Sequence, residues 1–166
     1  MAVVPVHPTV SRVWAAHEEI RQAVGRIRSL LAEMSEIEDE DGTAEPVAGS
    51  TRIERLILGL LSRLDNLHKE KQGDRDFAAA IASRATLREE WTRLADDRAW
   101  IQLSLQTVFE LLGSANRPDT AGWREIERQF TACEQVISQY LAEDFDLLRR
   151  GLEWYEPDSG ACVALA

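Results

Sequence analysis

One stretch of the chain, residues 123–155, restricts the fold more than any other. It contains no proline and a single glycine, and its core-facing positions recur in alternating steps of three and four. Those positions are Trp123, Ile126, Phe130, Cys133, Ile137, Tyr140, Asp144, Leu147, Gly151 and Trp154. This spacing aligns all ten on one face of an α-helix, as on the contact face of a bundle helix. Two of them, Tyr140 and Asp144, are polar, and a buried carboxylate requires a partner or a proton.

A first helix is predicted after an N-terminal extension, residues 1–8, with Thr9 or Ser11 as its N-cap. Its core-facing positions are Val10, Val13, His17, Ile20, Val24, Ile27, Leu31 and Met34. His17 is therefore expected in the core. The segment that follows, residues 35–50, is acidic and contains glycine and proline, which predicts a mobile loop.

A second helix is predicted to begin at a capping box, residues 51–54. Its apolar face ends at His68, and helical composition resumes after Gly73. We expect this helix to continue to about Ser83, weakened at Gly73 by about 1 kcal/mol relative to alanine.

A third helix is predicted from a second capping box, residues 86–89, to a C-cap at Gly113. Its core-facing positions are apolar except for Arg98. The fourth helix is the one described first, and residues 156–166 are expected to form a flexible tail. Four long amphipathic helices predict an all-α fold, an up-down-up-down antiparallel four-helix bundle over residues 9–155.

The polar core positions are expected at one end of that bundle. His17 is near the start of its helix and His68 lies well along the second. Trp91 is near the start of the third helix, while Tyr140 and Asp144 lie well along the fourth. Because neighbouring helices are antiparallel, these five side chains should lie at a similar height and face the bundle axis.

At these residues the chain resembles the hemerythrin-like, or HHE cation-binding, four-helix bundles. The stretch YLAEDFDLL is similar to the last ligand segment of that family with tyrosine in place of histidine. LREEW is similar to the start of its third helix with tryptophan at the ligand position. The resemblance places the family's ligand positions at His17, His68 with Gln72, Trp91, and Tyr140 with Asp144.

The resemblance implies a metal site that is reduced or lost. Tryptophan cannot bind a metal and glutamine is a poor ligand, so the positions of Trp91 and Gln72 are lost. His17, His68, Tyr140 and Asp144 remain, and two histidines with one carboxylate form a known ligand set for one zinc or iron ion. On this hypothesis the protein handles or senses oxygen, nitric oxide or iron.

The same residues also permit a polar cluster without a metal. His17 or His68 would then pair with Asp144, and the hydroxyl of Tyr140 would donate to Asp144 or to a backbone carbonyl. Arg98 is a further candidate partner for Asp144. On this second hypothesis the chain is a metal-free interaction or regulatory module, with the acidic segment 36–45 as a candidate contact for a protein partner.

Composition narrows the function classes further. A formal net charge of −10 argues against binding to nucleic acid or to an anionic membrane surface. No apolar run is long enough to span a membrane, no secretory signal is visible, and two cysteines form no disulfide framework. We therefore expect a cytoplasmic protein, with Cys133 as a small buried hydrophobic residue.

The sequence contains no motif for hydrolytic catalysis and no phosphate-binding loop. A histidine phosphotransfer bundle requires a solvent-facing histidine, whereas His17 occupies a core-facing position. The sequence thus favours a protein that is not an enzyme, and it leaves open whether the chain forms a homodimer.

Overall fold

The computed structural model describes residues 7–36, 45–114 and 120–152, and these residues form helices and no strand. Five helices follow one another: α1 (Pro8–Glu36), α2 (Glu45–Gln72), α3 (Arg75–Ser83), α4 (Ala85–Ser114) and α5 (Thr120–Leu152). The predicted all-α class is confirmed. Within the described ranges, no helix is both long enough and apolar enough to cross a membrane.

The four long helices pack in antiparallel pairs, as the ion pairs between them indicate. Residues of α1 contact residues of α2 and α5 in reversed order, so that the residue numbers rise on one helix as they fall on the other: Arg12 with Glu70 and Glu19 with Arg63 on α2, and His17 with Asp144 and Arg28 with Glu134 on α5. Early residues of α4 likewise contact late residues of α5 and α2: Glu90 with Arg150, Arg93 with Glu143, and Arg98 with Asp65. Each pair thereby brings two residues that are distant in sequence to the same height along the helices.

The core is built from the positions that the periodicity selects. In α5 every predicted core-facing position from Trp123 to Gly151 is buried, and Trp154 lies outside the described residues. In α1 the positions from Val13 to Met34 are buried, with His17 among them. Removing these apolar side chains from water is the main stabilising contribution to such a fold.

The predicted continuation of the second helix to Ser83 is wrong, because the chain forms two helices there. The backbone turns at Gly73, and Asp74 is the N-cap of α3. Its carboxylate accepts hydrogen bonds from the backbone N–H groups of Asp76 (3.0 Å) and Phe77 (2.9 Å). These bonds satisfy donors that a new helix start leaves free, so the break is stabilised locally.

Helix α3 packs across α4 and α5 through Phe77. The Phe77 ring meets the Trp91 ring of α4 edge-on, with centroids 5.4 Å apart. On the other side it lies against Gly151 of α5, where an added Cβ would be 3.1 Å from the ring. The missing side chain of Gly151 is what lets α3 approach α5 so closely.

The segment predicted as a mobile acidic loop, residues 35–50, is helical at both of its ends. Of residues 35–50, those from 45 onward belong to α2, so the box at residues 51–54 lies inside a helix and does not begin it. The start of α2 approaches α1 closely at Gly49, where a Cβ would lie 2.5 Å from the sulfur of Met34. Residues 37–44 lie outside the described ranges, as do residues 1–6 of the predicted extension and the predicted tail.

Candidate functional site

Asp144 is the centre of a buried polar cluster. Its side chain is 1% exposed and accepts from two groups on other helices. The Nε2 of His17 on α1 is 3.1 Å from Oδ2, and the ammonium of Lys71 on α2 donates to Oδ1. Burial alone would raise the pKa of Asp144, but the charge of Lys71 and the hydrogen bond from His17 outweigh it and hold this pKa below its ordinary value. Asp144 is therefore ionised at neutral pH.

Lys71 is buried completely, with 0% of its side chain exposed. Its ammonium lies 5.0 Å from the ring centroid of Trp91 and 6.0 Å from that of Tyr140. Burial lowers the pKa of Lys71, whereas the charge of Asp144 raises it and partly compensates. The aromatic faces and the carboxylate all favour the protonated amine over the neutral one.

His17 donates to Asp144 through Nε2, because an ionised carboxylate can only accept a hydrogen bond. Its other nitrogen, Nδ1, is buried, and within the described part of the chain it has no hydrogen-bond partner. The ring of Phe145 covers the imidazole edge-on, with centroids 6.1 Å apart. Trp14 in turn covers Phe145 at 5.2 Å, which separates His17 from water.

His68 stacks on Trp91 with the two rings nearly parallel, 4.9 Å apart between centroids and inclined by 7°. Burial lowers the pKa of His68 to about 4, and the charges of Arg98 and Lys71 contribute to this shift. The imidazole is thus neutral at pH 7. Its stacking partner, Trp91, is half-buried at the position where the family resemblance expects a ligand.

Tyr140 is buried at 2% exposure, one turn before Asp144. Burial and the negative charge of Asp144 raise the pKa of Tyr140 well above its ordinary value, so the phenol keeps its proton. Gln72, the remaining family position, is exposed on α2 and does not belong to the cluster.

The predicted site residues are therefore brought to one end of the molecule in two groups. His17 and Asp144 are in direct contact, whereas His68 lies against Trp91. Among residues 7–36, 45–114 and 120–152, His17, His68 and Asp144 do not form a group whose ligand atoms all lie within 4.8 Å of one another.

Three other side chains do meet that criterion: His7, Asp74 and Asp76. Their polar atoms already have partners, since Nδ1 of His7 accepts from the backbone N–H of Thr9 at 3.3 Å and Nε2 lies 3.4 Å from Asp76. Asp74 caps α3 and also accepts from the hydroxyl of Thr9. This group joins the start of α1 to the start of α3.

Lys71 is the member of the cluster that the sequence analysis missed. It stands in the charged run KEKQG, a composition typical of a solvated helix end. The missed signal is spacing, because Leu60, Leu64 and Leu67 continue at Lys71 in steps of four, three and four. Arg98, the charged partner proposed for Asp144, lies 4.0 Å from Asp65 instead.

No family model, curated protein or solved structure matches this chain. The geometry of the cluster and the resemblance at its residues are thus the basis for assigning a function.

Proposed function

We propose that the chain is a hemerythrin-like, up-down-up-down four-helix bundle that has lost its metal site and works as a metal-free module for binding another protein. The observation that carries this proposal is the contact between the Lys71 ammonium and Asp144. The carboxylate of the expected ligand set already has a cation. The antiparallel pairing of α1, α2, α4 and α5 supports the bundle, with α3 as an added short helix.

The other side chains of the cluster do not fit an iron or zinc centre. Such centres need several imidazole and carboxylate donors that converge on one point. Here Nε2 of His17 is directed at Asp144, His68 lies flat against Trp91, and the phenol of Tyr140 is protonated. One ion bound by His17, His68, Tyr140 and Asp144 remains the alternative hypothesis.

A module without metal chemistry acts through its surface, and the surface charge of this chain suggests its partner. The formal net charge is −10, and six acidic residues fall within ten positions: Glu36, Glu38, Asp39, Glu40, Asp41 and Glu45. A dense negative segment attracts basic surfaces and speeds association with them. We therefore expect a protein partner with a basic face.

The metal-free part is tested by elemental analysis and an absorption spectrum of protein purified without chelator from medium containing iron and zinc. We expect both metals far below one equivalent and no visible band, in the native protein and in His68→Phe alike. One equivalent of iron or zinc that disappears in His68→Phe would contradict the proposal. So would a charge-transfer band from a tyrosinate bound to ferric iron.

The partner is tested with two variants of equal net charge. In the first, the six acids of residues 36–45 become amides. In the second, the same change is made on the exposed or half-buried faces of α4 and α5, at Glu89, Asp96, Asp97, Glu110, Glu125 and Glu127. We expect a partner that is retained by the native protein and by the second variant and lost by the first. Equal loss in both variants would indicate unspecific charge attraction.

A further inference from the structure

The surroundings of the Lys71 ammonium form a closed cage contributed by two other helices. Asp144 and Tyr140 come from α5, and Trp91 comes from α4. The carboxylate oxygen contacts Nζ directly, while the two aromatic faces lie 5.0 Å and 6.0 Å from it. His17 then binds the second carboxylate oxygen and fixes its orientation.

A carboxylate with flanking aromatic faces is the chemistry that recognises an organic ammonium ion. It differs from a metal site, which needs lone pairs rather than π faces. We infer that this cage is a binding site for a primary alkylammonium group, which the native chain fills with its own Lys71. The inference rests on the proposed metal-free function, since it makes Lys71 the internal cation where a related bundle would hold a metal.

Removing the Lys71 side chain should leave the site without its ligand. Lys71→Ala deletes three carbons and the ammonium, which is the size of n-propylammonium. Asp144 would then be a buried charge with one partner fewer, a strongly destabilising state. We expect the thermal midpoint to fall by roughly 6–20 °C.

The experiment measures the thermal midpoint of Lys71→Ala with n-propylammonium chloride at tens of millimolar. We expect the amine to restore several degrees, because a ligand that binds only the folded state stabilises it by mass action. n-Propanol, which matches the amine in size but has no charge, should restore much less. The native protein should respond to the amine no more than to the same concentration of NaCl, since its site is filled.

Equal effects of the amine and the alcohol on Lys71→Ala would overturn the inference. So would a response to zinc chloride together with none to the amine, which would make the site a latent metal site instead.

Should Lys71→Ala fail to fold, a second experiment tests whether Lys71 is the counter-ion of Asp144. It compares the urea midpoints of Lys71→Met, Asp144→Asn and the double variant. Methionine fills the space of lysine without its charge. If Lys71 is the counter-ion of Asp144, the double variant loses clearly less stability than the sum of the two single variants. Additive losses would refute the pairing.

The inference and the proposed function can fail separately. Stoichiometric metal in the native protein would contradict the metal-free function whatever the amine does. A native protein without metal, together with no selectivity for the amine, would leave the metal-free function standing and remove the ammonium site.

Discussion

The imidazole of His68 lies flat against the Trp91 ring, and its pKa of about 4 keeps it neutral at pH 7. In the unfolded chain a histidine titrates near 6.5. Between these two values the unfolded chain binds more protons at His68, so the contribution of His68 to stability decreases as the pH falls from about 6.5 to about 4 and changes no further below that. By linkage the loss is at most about 3 kcal/mol, and screening by water at the partly exposed ring edge reduces it to roughly 1–2 kcal/mol.

His68→Phe keeps the stacked ring and removes the titration. We therefore expect the urea midpoint of this variant to decline less than that of the native protein between pH 6.5 and pH 4. An equal decline of the urea midpoint with falling pH in the two proteins would show that His68 is not the group that causes the loss of stability. His7→Phe, in the separate group beside Asp76, serves as the matched control.

His17, His68 and Asp144 could be predicted as core residues because burial follows from periodicity along a single helix. The sequence offered His17 and His68 as alternative partners of Asp144, and His17 is found there, but the choice between the two histidines and the contact with Lys71 could not be predicted in this way. His17, Arg98 and Lys71 all come from other helices, and the choice among them depends on how the helices are rotated and shifted. Lys71 also stands in a run of charges, where composition favours a solvated position over the core-facing one that its spacing indicates.

At the scale of elements, the contact between α3 and α5 depends on Gly151. A Cβ at this position would be 3.1 Å from two carbons of Phe77, whereas a Cβ at Gly25 of α1 has nothing within 4 Å. Alanine is favoured over glycine inside a helix by about 0.5–1 kcal/mol. We expect Gly25→Ala to stabilise the protein by about that amount and Gly151→Ala to forfeit the gain or to destabilise, measured by urea unfolding.

The steric origin of that difference can be tested by relieving it. In a Phe77→Leu background the smaller side chain leaves room for the Cβ, so Gly151→Ala should regain part of the stabilisation. Equal gains for Gly25→Ala and Gly151→Ala in the native background would show that α3 moves aside without loss.

Asp74 connects three elements, since it caps α3, accepts a hydrogen bond from the hydroxyl of Thr9 on α1, and follows the end of α2. Replacing an N-cap by alanine typically costs about 1 kcal/mol, and loss of the Thr9 bond adds to it. We expect Asp74→Ala to speed amide hydrogen exchange in α3 by roughly 5- to 30-fold, the factor for 1–2 kcal/mol. Arg75→Ala, next in the chain and exposed, should leave exchange in α3 unchanged.

The same residue explains why one long helix was predicted where two are found. Gly73 alone weakens a helix by about 1 kcal/mol, which favourable packing readily offsets. Two further contacts favour the break: the Asp74 cap and the packing of Phe77 between Trp91 and Gly151. A cap can be recognised in a sequence, but a packing site formed by two helices that are distant in the chain cannot.

At the scale of the whole molecule, charges act in two ways that salt can separate. With a formal net charge of −10, the excess negative side chains repel one another and destabilise the folded chain. Most ion pairs lie on the surface, where each contributes little to stability. Lys71 and Asp144 form a buried pair that ions in solution screen far less.

Raising NaCl from about 0.02 M to about 0.5 M, which shortens the Debye length several-fold, should therefore raise the thermal midpoint of the native protein. The destabilisation caused by Lys71→Met, in contrast, should be nearly the same at both salt concentrations, because it arises from a pair without contact to water. Changing the six acids of residues 36–45 to amides should reduce the salt response by reducing self-repulsion. If salt weakened the effect of Lys71→Met as strongly as it weakens that of Arg128→Ala in the exposed pair with Glu125, then water would reach Lys71 and the closed ammonium cage would be ruled out.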